Sequence, residues 1–330
     1  MNNTILVLNV SNDVELSFDE KSTIYDSLVA LVKAEYPFNN ALQDRAAQFL
    51  KNLEPKRNEQ VADKLITDLV PSSAGSPSGF VESILTLLSS PHSTVVAAVL
   101  SFLFETTRAV FPPIRCHLAA SNLVSNVLAT VQPHALSISG NEAILFYLIE
   151  IVIKSVHLAF PSSLQKLNIT DAVDAFNHRE MIFQKVVLPS DQFVTFLITN
   201  RHILDEDLLG NFMELLNTFI QIGSFHRPTL EFVIASPIVM TFSRCLSLVE
   251  NDYYILVPLM TINKLLKEWN EEDPEVSQSV KRIVHALFSE GFEDTLEQMM
   301  KFANDDYICN KIVDKIHSIS RFLGSNVKKP

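Results

Sequence analysis

The most apolar stretch of the chain, ILFYLIEIVIKSVHLAF at Ile144–Phe160, restricts the fold more than any other feature of the sequence. Starting from Ala143, which directly precedes the stretch, small or polar residues recur at intervals of four, three, four and three residues. They are Ala143, Tyr147, Glu150, Lys154 and His157. This spacing is one stripe of an α-helix whose other sides are apolar. Glu150 precedes Lys154 by four residues, which favours a helical ion pair. We expect a helix packed on three sides, with Glu150 and Lys154 as its most exposed residues.

The same stretch is a poor membrane span. A transmembrane helix needs about 20 apolar residues with few charges, whereas this run of 17 residues contains Glu150, Lys154 and His157. We therefore expect no membrane insertion. Its neighbours should come from Ser93–Phe111 and from the next helical repeat.

Glycine is scarce, with only seven residues in 330. Strand-rich and dinucleotide-binding folds need glycine at turns, bulges and phosphate loops, so this scarcity favours short connections between helices. Helical spacing of apolar residues recurs along the whole chain. It predicts an all-α protein, with helices that include Ser93–Phe111, Ser121–Val131, Asn141–Ala159, Phe193–Thr199, Glu206–Ile222, Pro237–Val249, Leu256–Trp269 and Pro274–Ser289.

Composition shifts divide the chain into successive segments. Residues 1–16 should be a disordered tail, and 17–70 should form an N-terminal helical cap. PSSAGSPSG, at 71–79, has the serine, glycine and proline of a flexible linker. Helical repeats should occupy 80–270, and 271–330 should form a C-terminal helical cap. Residues 160–184 are predicted to be an insertion or a degenerate repeat.

Three segments align on one another, each with a short apolar helix, a corner at a serine, and a second apolar helix: Arg115–Val131, Gln184–Asn200 and Leu230–Leu246. The corners lie at Ser121, Ser190 and Ser236. Small side chains let two helices meet closely, and a serine there can cap the second helix.

These segments resemble armadillo and HEAT-type repeats, which run about 40 to 47 residues. IRCHLAASNLVSNVLATV is similar to the short second helix of an armadillo repeat, the corner, and the first helix that follows. The resemblance implies a single right-handed α-solenoid that leaves an extended concave surface. The stretch SFDEKSTIYDSLVALVKAEYPFNNALQDRAAQFLKNLEPK also resembles a large protist protein family, and this second likeness implies no function.

Chemistry-bearing motifs are missing from the sequence, which contains no glycine-rich phosphate loop and no HExxH. Cys116 and His117 are adjacent and would point to different faces of a helix, so they are a poor nucleophile and base pair. We expect no enzyme activity, no catalytic residue, no cofactor and no metal. A net charge of −12 and scattered basic pairs argue against nucleic acid as a partner. Three widely spaced cysteines and a leader-free N-terminus indicate the cytoplasm, with the nucleus also compatible.

The function that the resemblance implies is a protein-interaction scaffold that binds an extended peptide or helix on its concave face. The alternative is a regulatory solenoid subunit of a larger enzyme complex. We expect a monomer. In peptide-binding armadillo proteins, asparagines on the third helix hold a partner's backbone, and an amide suits this because it donates and accepts at once. Asn217 and Asn263 share a register 46 residues apart. The candidate groove therefore has these two amides as clamps and Glu214 or Lys267 on its rim, while Glu150 and Lys154 line the open stripe of the earlier helix.

Overall fold

A computed structural model describes residues 87–90, 93–108, 119, 122–135, 141–246, 252–268 and 274–289, with isolated positions from 292 to 321. Every regular element in these described ranges is helical. The chain forms two compact units, Met1–Phe193 and Val194–Pro330. The predicted tail at 1–16, cap at 17–70 and linker at 71–79 lie outside the described residues.

The first unit contains five α-helices among its described residues. They are α1 (Ser93–Arg108), α2 (Leu123–Ala135), α3 (Glu142–Val156), α4 (Pro161–Lys166) and α5 (Ala172–Ile182). A 3-10 turn, His157–Ala159, extends α3. The core forms where α3 packs against α1, α2 and the turn that follows α5. The predicted packing of the apolar stretch against Ser93–Phe111 is therefore confirmed.

The segment 160–184, expected to be an insertion or a degenerate repeat, contains two further helices. Asn168 adopts a left-handed conformation, with φ of 56°, directly after α4. An asparagine tolerates this conformation, and it lets the amide of Ile169 bond the carbonyl of Leu164 at 2.9 Å and close the helix end. Asp171 then caps α5. Helical spacing missed α5 because polar and apolar residues do not segregate clearly along it.

The predicted corner at Ser190 is wrong, because the helical segment runs unbroken from Ala172 to Asn200. Within it, a π-helical turn (Phe183–Val187) and a 3-10 turn (Leu188–Ser190) connect α5 to α6 (Asp191–Asn200). Pro189 explains this irregularity: its ring would clash with the carbonyl four residues earlier, and a widened turn ahead of it removes the clash. The Ser190 hydroxyl donates to the carbonyl of Val187 at 2.7 Å.

Among the described residues of the second unit, two short helices lie between two long ones, and a third long helix follows. After α6 come α7 (Glu206–Gly223), α8 (Arg227–Ala235), α9 (Ile238–Leu246), α10 (Asp252–Glu268) and α11 (Pro274–Ser289). The last of these matches its predicted range. Helix α7 is central, since it packs against α8, α9, α10 and α11.

The corner at Ser236 is present, and α8 and α9 meet there at an angle of 69°. Both short helices lie between the long helices α7 and α10. The Ser236 hydroxyl donates to the carbonyl of Val233 at 3.4 Å, so it bonds back to α8, whereas the sequence predicted a cap on the second helix.

Candidate partner-binding surface

Helix α10 is buried on most of its circumference and exposed along one narrow side. Met260 is 53% exposed, which is unusual for a large apolar side chain, and Lys264 and Lys267 are exposed beside it. These three residues follow one another at helical intervals of four and three, so they form one stripe. The Lys264 ammonium lies 3.6 Å from Glu268 Oε1. We name Met260, Lys264 and Lys267 the α10 stripe.

The two predicted clamp asparagines do not lie on this stripe. Asn263 is 8% exposed, and its Oδ1 accepts a hydrogen bond from Ser318 Oγ at 3.2 Å. Asn217 is 2% exposed, and its Oδ1 has no hydrogen-bond partner. Neither amide is open to a partner's backbone in this structure, so the structure does not support the predicted clamp at this pair.

Packing between the long helices explains why these amides are covered. Fourteen of the eighteen residues of α7 are buried, Asn217 among them. The side chain of Gln221 on α7 donates to Thr261 Oγ1 on α10 at 2.7 Å, so polar groups here join neighbouring helices. The shared register of Asn217 and Asn263 predicted where each residue lies along its helix. It did not predict which side of that helix packs against the neighbouring helix.

The predicted rim residues have the accessibility that a rim requires. Glu214 on α7 is half-buried, and Lys267 on α10 is exposed. Whether a partner touches them stays a prediction. The strongest signal in the α10 stripe, Met260, was not among the predicted site residues. The signal available in the sequence was a methionine that precedes two lysines by four and seven residues, which places all three on one side of a helix.

In the first unit, the predicted ion pair on α3 is confirmed: Lys154 Nζ lies 3.3 Å from Glu150 Oε2. Glu150 is only 7% exposed, however, so the prediction that it is among the most exposed residues of α3 is wrong. Helices α1 and α2 and the turn after α5 cover the middle of α3. The open end of the stripe is at Glu142 and Ala143, which are exposed.

An aromatic cluster that the sequence analysis missed includes Tyr147 of this stripe. The ring of Phe104 on α1 lies 6.1 Å from Phe146 and 5.7 Å from Tyr147, both on α3. Phe146 and Tyr147 are half-buried, so the cluster reaches the surface. The available signal was a tyrosine within the predicted stripe with a phenylalanine next to it in sequence.

In the described part of the chain, the geometry favours neither metal binding nor thiol chemistry. No group of three or more His, Cys, Asp or Glu residues is placed there to hold a metal ion. Burial raises the pKa of the Cys245 thiol to about 12, with a smaller opposing effect from the charge of Arg201. A thiol with such a pKa is a poor nucleophile at neutral pH. Cys116 lies outside the described residues.

Among the described residues, one helical segment has the length and composition of a membrane span, and the bent pair α8 and α9 has them when taken together. The single segment is Ala172–Asn200, with 29 residues, and 44% of its most apolar window is buried inside the protein. The apolar stretch Ile144–Phe160 is not part of it. Core helices of soluble proteins have the same properties, so the absence of membrane insertion stays a prediction.

Comparison with solved structures identifies armadillo repeat proteins. A designed armadillo repeat protein is 13% identical, over 89% of this chain and 98% of its own, with a TM-score of 0.52. Another, in complex with peptide (KR)4, is 12% identical over 90% and 98%, with a TM-score of 0.55. A computationally designed armadillo repeat protein for modular peptide recognition is 14% identical over 88% and 98%, with a TM-score of 0.52.

No protein-family model matches the chain, and no curated protein matches it. The structural likeness nevertheless spans about nine-tenths of the chain, and the alternation of short and long helices agrees with it. The fold is an all-α solenoid of armadillo-like helical repeats, as the sequence predicted.

Proposed function

We propose that the protein is a non-enzymatic interaction scaffold that binds an extended peptide or helix of another protein along the long helices of its repeats. The observation that carries this proposal is the α10 stripe. It places one exposed, flexible methionine and two exposed lysines on one side of an otherwise buried helix, a combination that suits contact with a partner. Repeats that stack side by side leave such long, continuous surfaces.

The chemistry of the stripe suits a peptide with an apolar anchor. Met260 offers a flexible, polarisable seat for an apolar side chain, while Lys264 and Lys267 offer cations for a carboxylate or a backbone carbonyl. Glu214, on the neighbouring α7, supplies the opposite charge. A structural neighbour, a designed armadillo repeat protein in complex with peptide (KR)4, supports peptide binding by this fold. Its peptide is basic, so it does not bear on the charge of the peptide proposed here.

We propose that the protein acts as a monomer inside the cell, mainly in the cytoplasm, and that it binds neither nucleic acid nor a cofactor. The net charge of −12 supports a protein partner over a nucleic acid, because a phosphate backbone would be repelled. Affinity purification of the tagged chain, followed by mass spectrometry, tests the class of partner. A stoichiometric enzyme in every preparation would favour the regulatory-subunit alternative instead.

A mutational experiment tests the surface itself. Met260→Ser combined with Lys267→Ser should remove a partner that wild-type protein retains, with no loss of helical circular dichroism. Lys281→Ser is the matched control, since Lys281 is an exposed lysine on α11. Retention of all partners by the double variant would show that the α10 stripe is not the binding surface.

A further inference from the structure

Helix α5 exposes two apolar side chains on its outer face. Val173 is 65% exposed and Phe176 is 52% exposed, and they lie three residues apart on the same side of the helix. Asn177, which is exposed, and Glu180 continue that face toward the C-terminal end. The opposite side of α5 is anchored, since Ile182 is buried. We name Val173, Phe176, Asn177 and Glu180 the α5 outer face.

A cap stabilises the start of α5, and a hydrogen bond near its end joins it to the rest of the first unit. At its start, Asp171 Oδ1 accepts from the backbone amides of Val173 at 2.8 Å and Asp174 at 3.2 Å, which caps the helix. Near its end, Arg179 Nε donates to the carbonyl of Ala159 at 3.3 Å. The exposed pair is therefore presented on a fixed helix. A fixed helix loses little conformational entropy when a partner binds.

Charge around the pair identifies the kind of partner. Asp171 and Asp174 flank Val173, and Glu180 follows on the outer face, so the border is acidic. The nearest cation on the helix, Arg179, is bound to Ala159. A second copy of the chain would bring carboxylates together, and an anionic bilayer would repel them.

We propose that the α5 outer face is a docking surface for a protein that offers an apolar cleft bordered by lysine or arginine side chains. Val173 and Phe176 enter the cleft as two anchors three residues apart, which is how helices dock in grooves. The carboxylates of Asp171 and Asp174 pair with the basic border. This surface lies in the first unit and is separate from the α10 stripe.

The experiment uses the full chain and a defined probe, a fluorescent amphipathic peptide of about 14 residues, four helical turns, made of leucine and lysine. Anisotropy titration should show saturable binding to the wild type. Val173→Ser with Phe176→Ser should weaken it by about tenfold or more, as for anchor residues at interfaces. Asp171→Asn with Asp174→Asn should weaken it by about threefold and reduce its salt dependence, while asparagine at 171 keeps the cap.

Leu188→Ser is the matched control, since it removes another exposed apolar side chain of the same unit, 40% exposed, and it should leave this affinity unchanged. A leucine–glutamate peptide should not bind. Equal affinity of the wild type and the Val173→Ser/Phe176→Ser variant, or no binding to the wild type, would overturn the proposal. The proposal would also be overturned if the wild type formed a dimer in sedimentation, or bound anionic or zwitterionic vesicles, and the Val173→Ser/Phe176→Ser variant did not. If the α5 outer face fails this test, the proposal for the α10 stripe still stands, because different variants test that stripe.

Discussion

The ring of Tyr254 on α10 occupies the space that a side chain at Gly210 on α7 would fill. The two long helices approach each other closely at this point, and the missing Cβ of glycine makes the approach possible. Further along the same pair, Gln221 bonds Thr261. Contact between α7 and α10 is therefore set by a glycine at one end and by a hydrogen bond at the other.

Gly210→Ala should destabilise the protein by about 1–3 kcal/mol, because the new methyl group would collide with the Tyr254 ring. Alanine favours a helix over glycine by about 1 kcal/mol, so a gain would be expected if the ring moved freely. Gly223→Ala, at the end of the same helix, is the control: its nearest neighbour outside the helix would be Leu230 Cα at 3.4 Å, an ordinary contact. Urea denaturation compares the two variants. Equal stability would contradict the close approach.

Asn217→Ala and Asn263→Ala should alter stability and leave partner binding unchanged. Both amides are buried, so truncation leaves a small cavity, and at Asn263 it also removes the acceptor for Ser318. We expect Asn263→Ala to cost about 1–2 kcal/mol. Asn217→Ala should cost less, because it also removes a buried oxygen that has no hydrogen-bond partner. Thermal unfolding and a partner-capture assay, run on the same preparations, give both readouts. Loss of capture with an unchanged melting temperature would restore these residues as clamps.

Cys245 should resist iodoacetamide at about pH 8 in the folded protein and react in urea, because only the thiolate is nucleophilic. Peptide mass spectrometry distinguishes it from Cys116 and Cys309. Since burial raises its folded pKa to about 12, above the unfolded value, its contribution to stability is complete below the unfolded pKa. That contribution falls as the pH rises through the alkaline range. Modification at the same rate in both states would show that the thiol is accessible.

Glu231 on α8 and Arg282 on α11 form a two-pronged ion pair, with distances of 2.6 and 2.9 Å. The hydrogen bond from Arg282 is the main cause that lowers the pKa of Glu231. The stabilising effect is therefore present above the usual carboxyl pKa and is lost as the pH falls through the lowered value. Because both side chains are exposed, a double-mutant cycle with Glu231→Gln and Arg282→Gln should give under about 1 kcal/mol. Coupling that persists in acid or in high salt would contradict this assignment.

Periodicity alone predicted the helices that mattered for the fold class. Pro274–Ser289 coincides with its predicted range, and the ion pair of Glu150 with Lys154 followed from a spacing of four residues. Both depend on contacts within one helix, which sequence spacing describes directly. The prediction of a corner at Ser190 was wrong because a π-helical turn accommodates Pro189 without breaking the helical segment. The spacing of apolar residues does not indicate such a turn.

The candidate site could be predicted only in part, because burial depends on contacts between helices. Asn217 is a polar residue at a plausible position, yet the second unit encloses it. Glu150 is covered in the same way by the helices around α3. The exposure of Met260 likewise depends on which side of α10 its neighbours leave open. Helical spacing assigns a residue to a face, and only the packing of neighbouring helices decides which face meets solvent.

The central claim is that the α10 stripe binds extended peptides, and one measurement tests it most directly. A random dodecapeptide library, displayed on phage, is selected against the full chain, and the enriched peptides are titrated by fluorescence anisotropy against variants. We expect Met260→Ser with Lys267→Ser to weaken their binding by about tenfold or more, as for anchor contacts, while Lys281→Ser leaves it unchanged. No enrichment, or enriched peptides that bind the double variant as tightly as the wild type, would contradict the claim.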